Sequence, residues 1–144
     1  MSVDKNILEA KRWLDTARGD LDAAGVLCEN SKYAHACFHA QQAAEKAIKA
    51  LWYYADADPW GHSIRKLIED LSGIDTALYN EMKSLGKIGL ILDRFYIPTR
   101  YPNGLPDLTP DQAFLQEDAK NCIKYATEFL KTVESFLNPN LSDS

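Results

Sequence analysis

A pair of polar residues interrupts an otherwise apolar helical stripe. Gln41 and Glu45 are one helical turn apart and share a face with Phe38 and Ile48. A carboxylate in that setting needs a partner, because isolated burial of its charge costs several kcal/mol. One interpretation is a structural network with a tyrosine or arginine across the fold. The other is a polar pocket that orients a ligand or an arginine from a loop, and we assign Asp20 to the same buried polar pocket.

A locally basic strip runs beside this pair. His39, Lys46 and Lys49 share the neighbouring face of the same predicted helix. Ammonium groups are good partners for phosphate, so the strip could contact a nucleotide or RNA. The alternative is an ordinary solvated helix face. We name Lys46 and Lys49 as candidate phosphate-binding residues.

Arginine and tyrosine flank a proline-rich segment later in the chain. Arg94, Arg100 and Tyr101 complete the set of candidate nucleotide- and phosphate-binding residues. An arginine can bind phosphate through two parallel hydrogen bonds, and a tyrosine can stack on a base. The alternative is that Arg100 pairs with Glu45 or with an aspartate and only fixes the loop.

Histidines supply the candidate acid–base groups. His39 and His62 can transfer protons near neutral pH, and together with Arg100 they are the catalytic candidates. His62 has a second interpretation, as the cap of a short helix that follows it. His35 and His39 have the spacing of two metal ligands on a helix, but the sequence places no third ligand with them. We therefore expect neither a metal site nor a cofactor.

Apolar periodicity predicts that helices position these side chains. Apolar residues recur at steps of three and four, and no strand signal interrupts them. The expected helices span residues 4–29, 32–55, 63–71, 75–95 and 109–137. Gly86 and Gly89 weaken the fourth of them or permit a close contact. The fold class that follows is all-α, an antiparallel four-helix up-and-down bundle with one additional short helix.

Turn chemistry defines the last connection and the last helix. Residues 98–110 contain several prolines and an Asn-Gly pair, so they are expected to form a long loop. Thr109 and Gln112 make a capping box that should start the last helix. Pro139 and the asparagine before it are expected to end that helix and to leave a polar tail, 138–144.

Length and composition describe one domain with an acidic balance. The chain has 144 residues and a formal net charge of −5, and we expect a single helical domain over 1–144 with its core at about 4–137. The negative charge argues against broad electrostatic binding to nucleic acid, so RNA would need a local basic patch.

The three cysteines form no C-x-x-C pair, which disfavours a zinc knuckle. No apolar run approaches the roughly 20 residues of a membrane span, so we expect a cytoplasmic protein.

The second predicted helix carries a recognisable run, YAHACFHAQQAAEKAIKALW. It resembles the signature of the HEPN domain family, in which an aromatic-small opening and an aromatic residue precede Gln-Gln-Ala-x-Glu-Lys-x-x-Lys. Those positions are occupied here by Tyr33, Ala36, Phe38, Gln41, Gln42, Ala43, Glu45, Lys46 and Lys49. Three further segments agree with the family: Ala17-x-x-Asp20-Leu21, Gly61-His62-Ser63 and Arg100-Tyr101-Pro102.

The resemblance implies a bundle of four long helices plus a short one, often dimeric. A stripe of small residues on the second helix, with Trp52 and Trp60 expected to be exposed, adds to the expectation of a homodimer. Family members are often encoded beside a minimal nucleotidyltransferase, and the pair resembles a toxin–antitoxin module. Many members are metal-independent ribonucleases whose signature is an arginine, four to six intervening residues and a histidine. No arginine of this chain has a histidine at that distance.

Three functional hypotheses follow. The leading one is an interaction module that binds a nucleotide or RNA phosphate and acts with a nucleotidyltransferase partner. The second is a metal-independent endoribonuclease, in which Arg100 stabilises the developing charge and His39 or His62 transfers protons. The third is a purely structural partner, in which the polar residues only satisfy the bundle.

Overall fold

The computed structural model describes residues 3–141, and this part of the chain is helical and contains no strand. Its α-helices, in chain order, are α1 (Val3–Glu29), α2 (Tyr33–Tyr54), α3 (Ile64–Asp70), α4 (Thr76–Met82), α5 (Gly86–Asp93), α6 (Pro110–Ala113) and α7 (Gln116–Leu141). The all-α prediction is therefore confirmed. No helix in this range is both long enough and apolar enough to cross a bilayer.

The central element is α2, because most of its residues are buried. The long helices α1 and α7 pack along it, and α3 and α5 cover more of its surface. Its small residues are fully buried, so the neighbouring helices can approach closely. These residues are Ala36, Cys37, Ala40, Ala43, Ala44, Ala47 and Ala50. The small-residue stripe that suggested a homodimer is thus used within the protomer.

Trp52 is also an internal residue, and the expectation that it is exposed was wrong. It is 7% exposed, and its indole Nε1 donates a hydrogen bond of 3.1 Å to the carbonyl oxygen of Leu67. This bond ties α2 to α3, because a buried indole N–H needs an acceptor. Trp60, in contrast, is 90% exposed, as expected.

The single helix expected over 75–95 is broken into α4 and α5. A tight 3₁₀ turn over Lys83–Leu85 separates the two, and α5 then packs against α3. Gly89 explains the closeness of that packing. A Cβ atom at Gly89 would lie 3.0 Å from Cγ2 of Ile64 and 3.1 Å from the backbone nitrogen of Arg65. The glycine therefore permits a contact between helix backbones, which is one of the two roles the sequence suggested.

The last predicted helix also differs at its start. Thr109 and Gln112 form the expected capping box, but the helix they start is only the short α6. The chain then extends through Phe114, and α7 begins at Gln116. Asp118 accepts a hydrogen bond of 2.8 Å from the backbone nitrogen of Leu115, which satisfies a donor at the new helix start.

The same helix also ends later than expected. Pro139 was predicted to stop it near residue 137, but α7 continues through this proline to Leu141. A proline removes one backbone hydrogen bond and crowds the carbonyl four residues earlier, so its position near the helix end confines the disturbance to the last turns of α7. The first part of the predicted tail is therefore helical, and residues 142–144 lie outside the described residues.

Substitution of Gly89 should test the contact between α5 and α3. In Gly89→Ala the added methyl meets the α3 backbone, and we expect a loss of about 2 kcal/mol in the free energy of unfolding. Gly86→Ala is the matched control, because Gly86 has helical backbone angles and open space around its Cβ position. That change should stabilise the protein by up to about 1 kcal/mol. Urea denaturation measures both, and equal effects of the two substitutions would contradict the backbone contact.

Candidate functional site

Glu45 is a buried carboxylate whose two oxygens are both occupied. Its side chain is 4% exposed, and Oε1 accepts a hydrogen bond of 3.2 Å from Nε2 of Gln41. Oε2 lies 3.1 Å from Nζ of Lys49 and 3.3 Å from Nδ1 of His62. Gln41 and Lys49 each lie one helical turn from Glu45 on α2, and His62 lies in the loop before α3. Gln41 and Glu45 therefore belong to a hydrogen-bonded network. The other partners of Glu45 are a lysine and a histidine, and not the tyrosine or arginine that the sequence analysis expected.

Asp20 lies in a second, separate pair. Its Oδ2 is 2.6 Å from Nζ of Lys46, which joins α1 to α2. The pocket predicted from Asp20, Gln41 and Glu45 is thus divided between two ion pairs. A carboxylate neutralises each of the two lysines that were named as phosphate ligands. Positive charge for a phosphate must therefore come mainly from other side chains.

Asp93 holds the segment that carries His62. It is the last residue of α5, and its carboxylate accepts hydrogen bonds from Oγ of Ser63 at 2.8 Å, from N of Ile64 at 2.7 Å and from N of Arg65 at 3.2 Å. Ser63, rather than His62, is the N-cap of α3. The capping interpretation of His62 was therefore wrong, and its imidazole is available for other contacts.

Tyr96 brings His62 and Arg100 together. The His62 ring stacks on the Tyr96 ring, with centroids 4.8 Å apart and an angle of 18° between the planes. The guanidinium carbon of Arg100 lies 4.4 Å from the Tyr96 centroid, 4.8 Å from that of Phe38 and 5.0 Å from that of Tyr101. Rings at these distances attract a cation through their negative faces. We refer to His62, Tyr96, Arg100 and Tyr101 as the His62–Arg100 face.

The guanidinium of Arg100 forms no ion pair within residues 3–141. Its Nε donates a hydrogen bond of 3.0 Å to the carbonyl oxygen of Tyr96, which fixes the side chain along its own turn. The interpretation that Arg100 pairs with Glu45 was wrong, because Lys49 and His62 already occupy that carboxylate. Arg94 is exposed, and its side chain likewise has no hydrogen-bond or ion-pair partner among the described residues. These two arginines carry the uncommitted positive charge in this region.

The His62–Arg100 face is an open surface. The side chain of His62 is 59% exposed, Tyr101 is 49% exposed, and Arg100 is also exposed. Such a surface can accept an extended ligand that brings both a negative charge and flat rings. The sequence analysis did not single out Tyr96, although its four-residue spacing from Arg100 was a signal.

His39 has a different environment from His62. Its Nδ1 is buried without a hydrogen-bond partner among the described residues, and it lies 3.9 Å from Oδ1 of Asp20, which is too far for a hydrogen bond. His35 is exposed, with Nδ1 3.6 Å from Oδ1 of Asp111. In the range 3–141 no three or more His, Cys, Asp or Glu side chains are placed to hold a metal ion.

A cleft elsewhere on the molecule has the wrong charge for phosphate. It measures about 310 Å³ and is lined by Lys5, Asn6, Glu9, Tyr53, Asp56, Ala57 and Asp58. Burial raises the pKa of Tyr53, and the negative charges of Asp58 and Glu9 raise it further. An electrostatic potential that opposes ionisation of a phenol also opposes a phosphate. The open His62–Arg100 face is therefore the better candidate site.

The cysteines belong to the core and not to the site. Cys37 and Cys122 are buried, and Cys28 is half-buried and packs against the same core. The side-chain hydrogen bond with Cys37 raises the pKa of Cys122 far above its usual value, and burial raises it further. A thiol held protonated in this way is a poor nucleophile.

The HEPN domain model matches residues 10–136 of the sequence. This match covers both the α2 signature and the His62–Arg100 face, and it includes most of the chain. The chain belongs to the HEPN domain family, as its α2 signature indicated.

Three relatives are similar to this chain over almost their whole length, one by sequence and two by both sequence and structure. A protein of Methanocaldococcus jannaschii described as "Putative toxin MJ1304" is 29% identical over 138 residues, which are 92% of this chain and 90% of that protein. The crystal structure of TT1696 from Thermus thermophilus is 36% identical with a TM-score of 0.79, covering 88% of this chain and 97% of that one. ST0689, described as an archaeal HEPN homologue, is 30% identical with a TM-score of 0.73, covering 90% and 98%.

Removal of the Glu45 carboxylate should destabilise the fold. Glu45→Ala leaves the side chain of Lys49, which is only 12% exposed, without its partner. Breaking a buried ion pair in this way costs about 3 kcal/mol. Glu117→Ala is the matched control, because Glu117 is exposed on the first turn of α7. Denaturant midpoints report the difference, and the same midpoint for both variants would show that the Glu45 network does not hold the fold.

Proposed function

We propose that this protein is an RNA-binding module that uses the His62–Arg100 face. The observation that supports this most directly is the guanidinium of Arg100, held over the Tyr96 ring at 4.4 Å with no carboxylate partner in the described structure. An arginine of this kind keeps its positive charge and its donor groups available for a phosphate. Tyr101 beside it offers a ring on which a base can stack.

The overall charge supports a local contact and not a broad one. The chain carries −5, so a distant phosphate backbone is repelled on average. The exposed cations Arg94 and Arg100 flank a short stretch of the chain after α5. A ligand with few phosphates, such as a nucleotide or a short RNA segment, fits this distribution better than a long duplex.

The biological setting is a further part of the proposal. A relative described as a "Putative toxin" supports a toxin–antitoxin role. A minimal nucleotidyltransferase is the proposed protein partner. We also propose that the protein forms a homodimer in the cytoplasm. The antiparallel order of the long helices is supported by the short connection 30–32, which reverses the chain between α1 and α2.

Replacement of Arg100 should weaken RNA binding and leave stability almost unchanged. Arg100→Ala removes one phosphate contact, so the slope of log affinity against log salt should fall by about one. Fluorescence anisotropy of a labelled oligoribonucleotide over a salt series measures both quantities. Arg100→Lys should keep the salt dependence but bind less tightly, because an ammonium lacks the planar fork.

Lys49→Ala serves as the control, because its effect on stability should exceed its effect on RNA binding, which is the reverse of what we expect for Arg100→Ala. Since Lys49 neutralises Glu45, its loss should lower stability more than it lowers RNA affinity. Unchanged RNA binding in Arg100→Ala would exclude the His62–Arg100 face as the site, and no binding of any nucleotide or RNA by the native protein would leave the purely structural interpretation.

A second candidate function, RNA cleavage, is favoured by the contact between Glu45 and His62. With Nδ1 of His62 donating to the carboxylate at 3.3 Å, the other ring nitrogen is left as an acceptor that can take a proton. A buried carboxylate that orients a histidine is the arrangement of a general base. Arg100, linked to His62 through Tyr96, would then stabilise the developing phosphorane charge.

Loss of His62 should abolish any such cleavage. General acid–base groups contribute a factor of about 10² to 10⁴, so His62→Ala should lower the rate of RNA cleavage by that amount. His39→Ala should have little effect, because the nearest carboxylate oxygen, Oδ1 of Asp20, lies 3.9 Å from Nδ1 of His39 and does not orient its ring through a hydrogen bond. The assay is run in chelator, where a metal-independent reaction persists. Cleavage that survives the loss of His62 would exclude this mechanism.

A further inference from the structure

Trp60 is a large aromatic side chain that its own chain leaves uncovered. It is 90% exposed in the loop between α2 and α3, where Gly61 has a φ angle of +96°. Tryptophan is normally well buried, because its ring has a large apolar area. An indole held in water therefore calls for an explanation in terms of a ligand or a partner.

The position of Trp60 places it beside the proposed RNA site. It precedes His62 by two residues, so their Cα atoms are at most about 7 Å apart. The hydrogen bonds from the start of α3 to Asp93 fix the same loop at its far end. Trp60 therefore belongs to the same short loop as a histidine whose own position is defined by contacts with Glu45 and Tyr96.

A second exposed ring lies directly beside the cationic centre. Tyr101 is 49% exposed, and its ring lies 5.0 Å from the guanidinium carbon of Arg100. Along the two segments that form the site, the order is thus an exposed indole, an imidazole, a guanidinium and an exposed phenol. In single-stranded nucleic acid, flat bases alternate with phosphates, and aromatic and cationic side chains bind them respectively.

We propose that Trp60 is a base-stacking residue and that the ligand of this face is single-stranded RNA. One base stacks on Trp60, a neighbouring base stacks on Tyr101, and the phosphate between them faces His62 and Arg100. This inference depends on the proposed RNA-binding function and names the form of RNA that the site accepts. A duplex is excluded, because its bases are stacked on one another and cannot lie against the indole.

The surroundings of Trp60 favour a nucleic acid over a protein partner. Protein interfaces place an exposed tryptophan within a contiguous apolar patch. Along the chain Trp60 is followed by the exposed Gly61 and His62, so no run of apolar residues accompanies the indole in this loop. Stacking on a base needs only one ring face and no such patch.

The test compares a single-stranded oligouridylate with its duplex with oligoadenylate, bound to the full chain. Trp60→Ala should weaken single-strand binding about tenfold, the loss expected for one stacked base, and should leave duplex binding unchanged. Trp60→Phe should retain most of the single-strand affinity, because phenylalanine keeps a stacking ring. Leu8→Ala removes another exposed apolar side chain, on α1, and should change neither affinity.

The outcomes separate this inference from the function on which it depends. If Arg100→Ala weakens binding while Trp60→Ala does not, the RNA site remains and the stacking role of Trp60 is wrong. If neither variant affects binding, the proposed function itself has failed. If Trp60→Ala changes the molecular mass measured by light scattering and not the RNA affinity, Trp60 is a contact between protein chains and the inference is overturned.

Discussion

The buried charge of Glu45 is the constraint on which the rest of the structure depends. A carboxylate that is almost fully removed from water must be paired, since the alternative costs several kcal/mol. Gln41 and Lys49 meet part of this requirement from within α2, where their positions at four residues before and after are fixed by the helix. His62 meets the remainder from a separate segment of the chain. The need to satisfy one charge therefore connects the interior of the fold to its surface.

A series of short contacts extends from that charge to the proposed RNA site. His62 contacts Glu45 with one edge and stacks on Tyr96 with its ring face, and Tyr96 in turn lies under Arg100. Asp93 anchors the start of α3 and is directly followed by the segment that carries Tyr96 and Arg100. The groups at the surface are consequently held by the same hydrogen bonds that position the short helices. Such preorganisation reduces the ordering cost when a ligand binds.

The sequence patterns predicted correctly those features that depend only on residues close together in the chain. The stripe containing Gln41 and Glu45 is buried because its neighbours at helical spacing are apolar, and Thr109 forms its capping box because only nearby residues are needed. The pairing of Lys46 with Asp20 joins residues 26 positions apart, and periodicity within one helix cannot supply that partner.

The sequence pattern also did not predict the break between α4 and α5. Apolar spacing continued across Lys83–Leu85, and the close approach of Gly89 to α3 is a tertiary contact. The role of Tyr96 depends on the same tertiary arrangement, because its ring contacts His62 from a distant part of the chain. The burial of Trp52, against the exposure of Trp60, likewise depends on where α3 lies.

The way in which Arg100 is held explains how an acidic protein can present a cation to phosphate. A carboxylate partner fixes a cationic side chain but cancels its charge, and this happens to Lys46 and Lys49. Aromatic rings fix the guanidinium through their quadrupoles and leave its net charge in place. The rings of Phe38, Tyr96 and Tyr101 surround Arg100 in this manner. A chain with an overall charge of −5 can thus repel nucleic acid over most of its surface and still attract it at one face, which favours a short, specific contact over non-specific association.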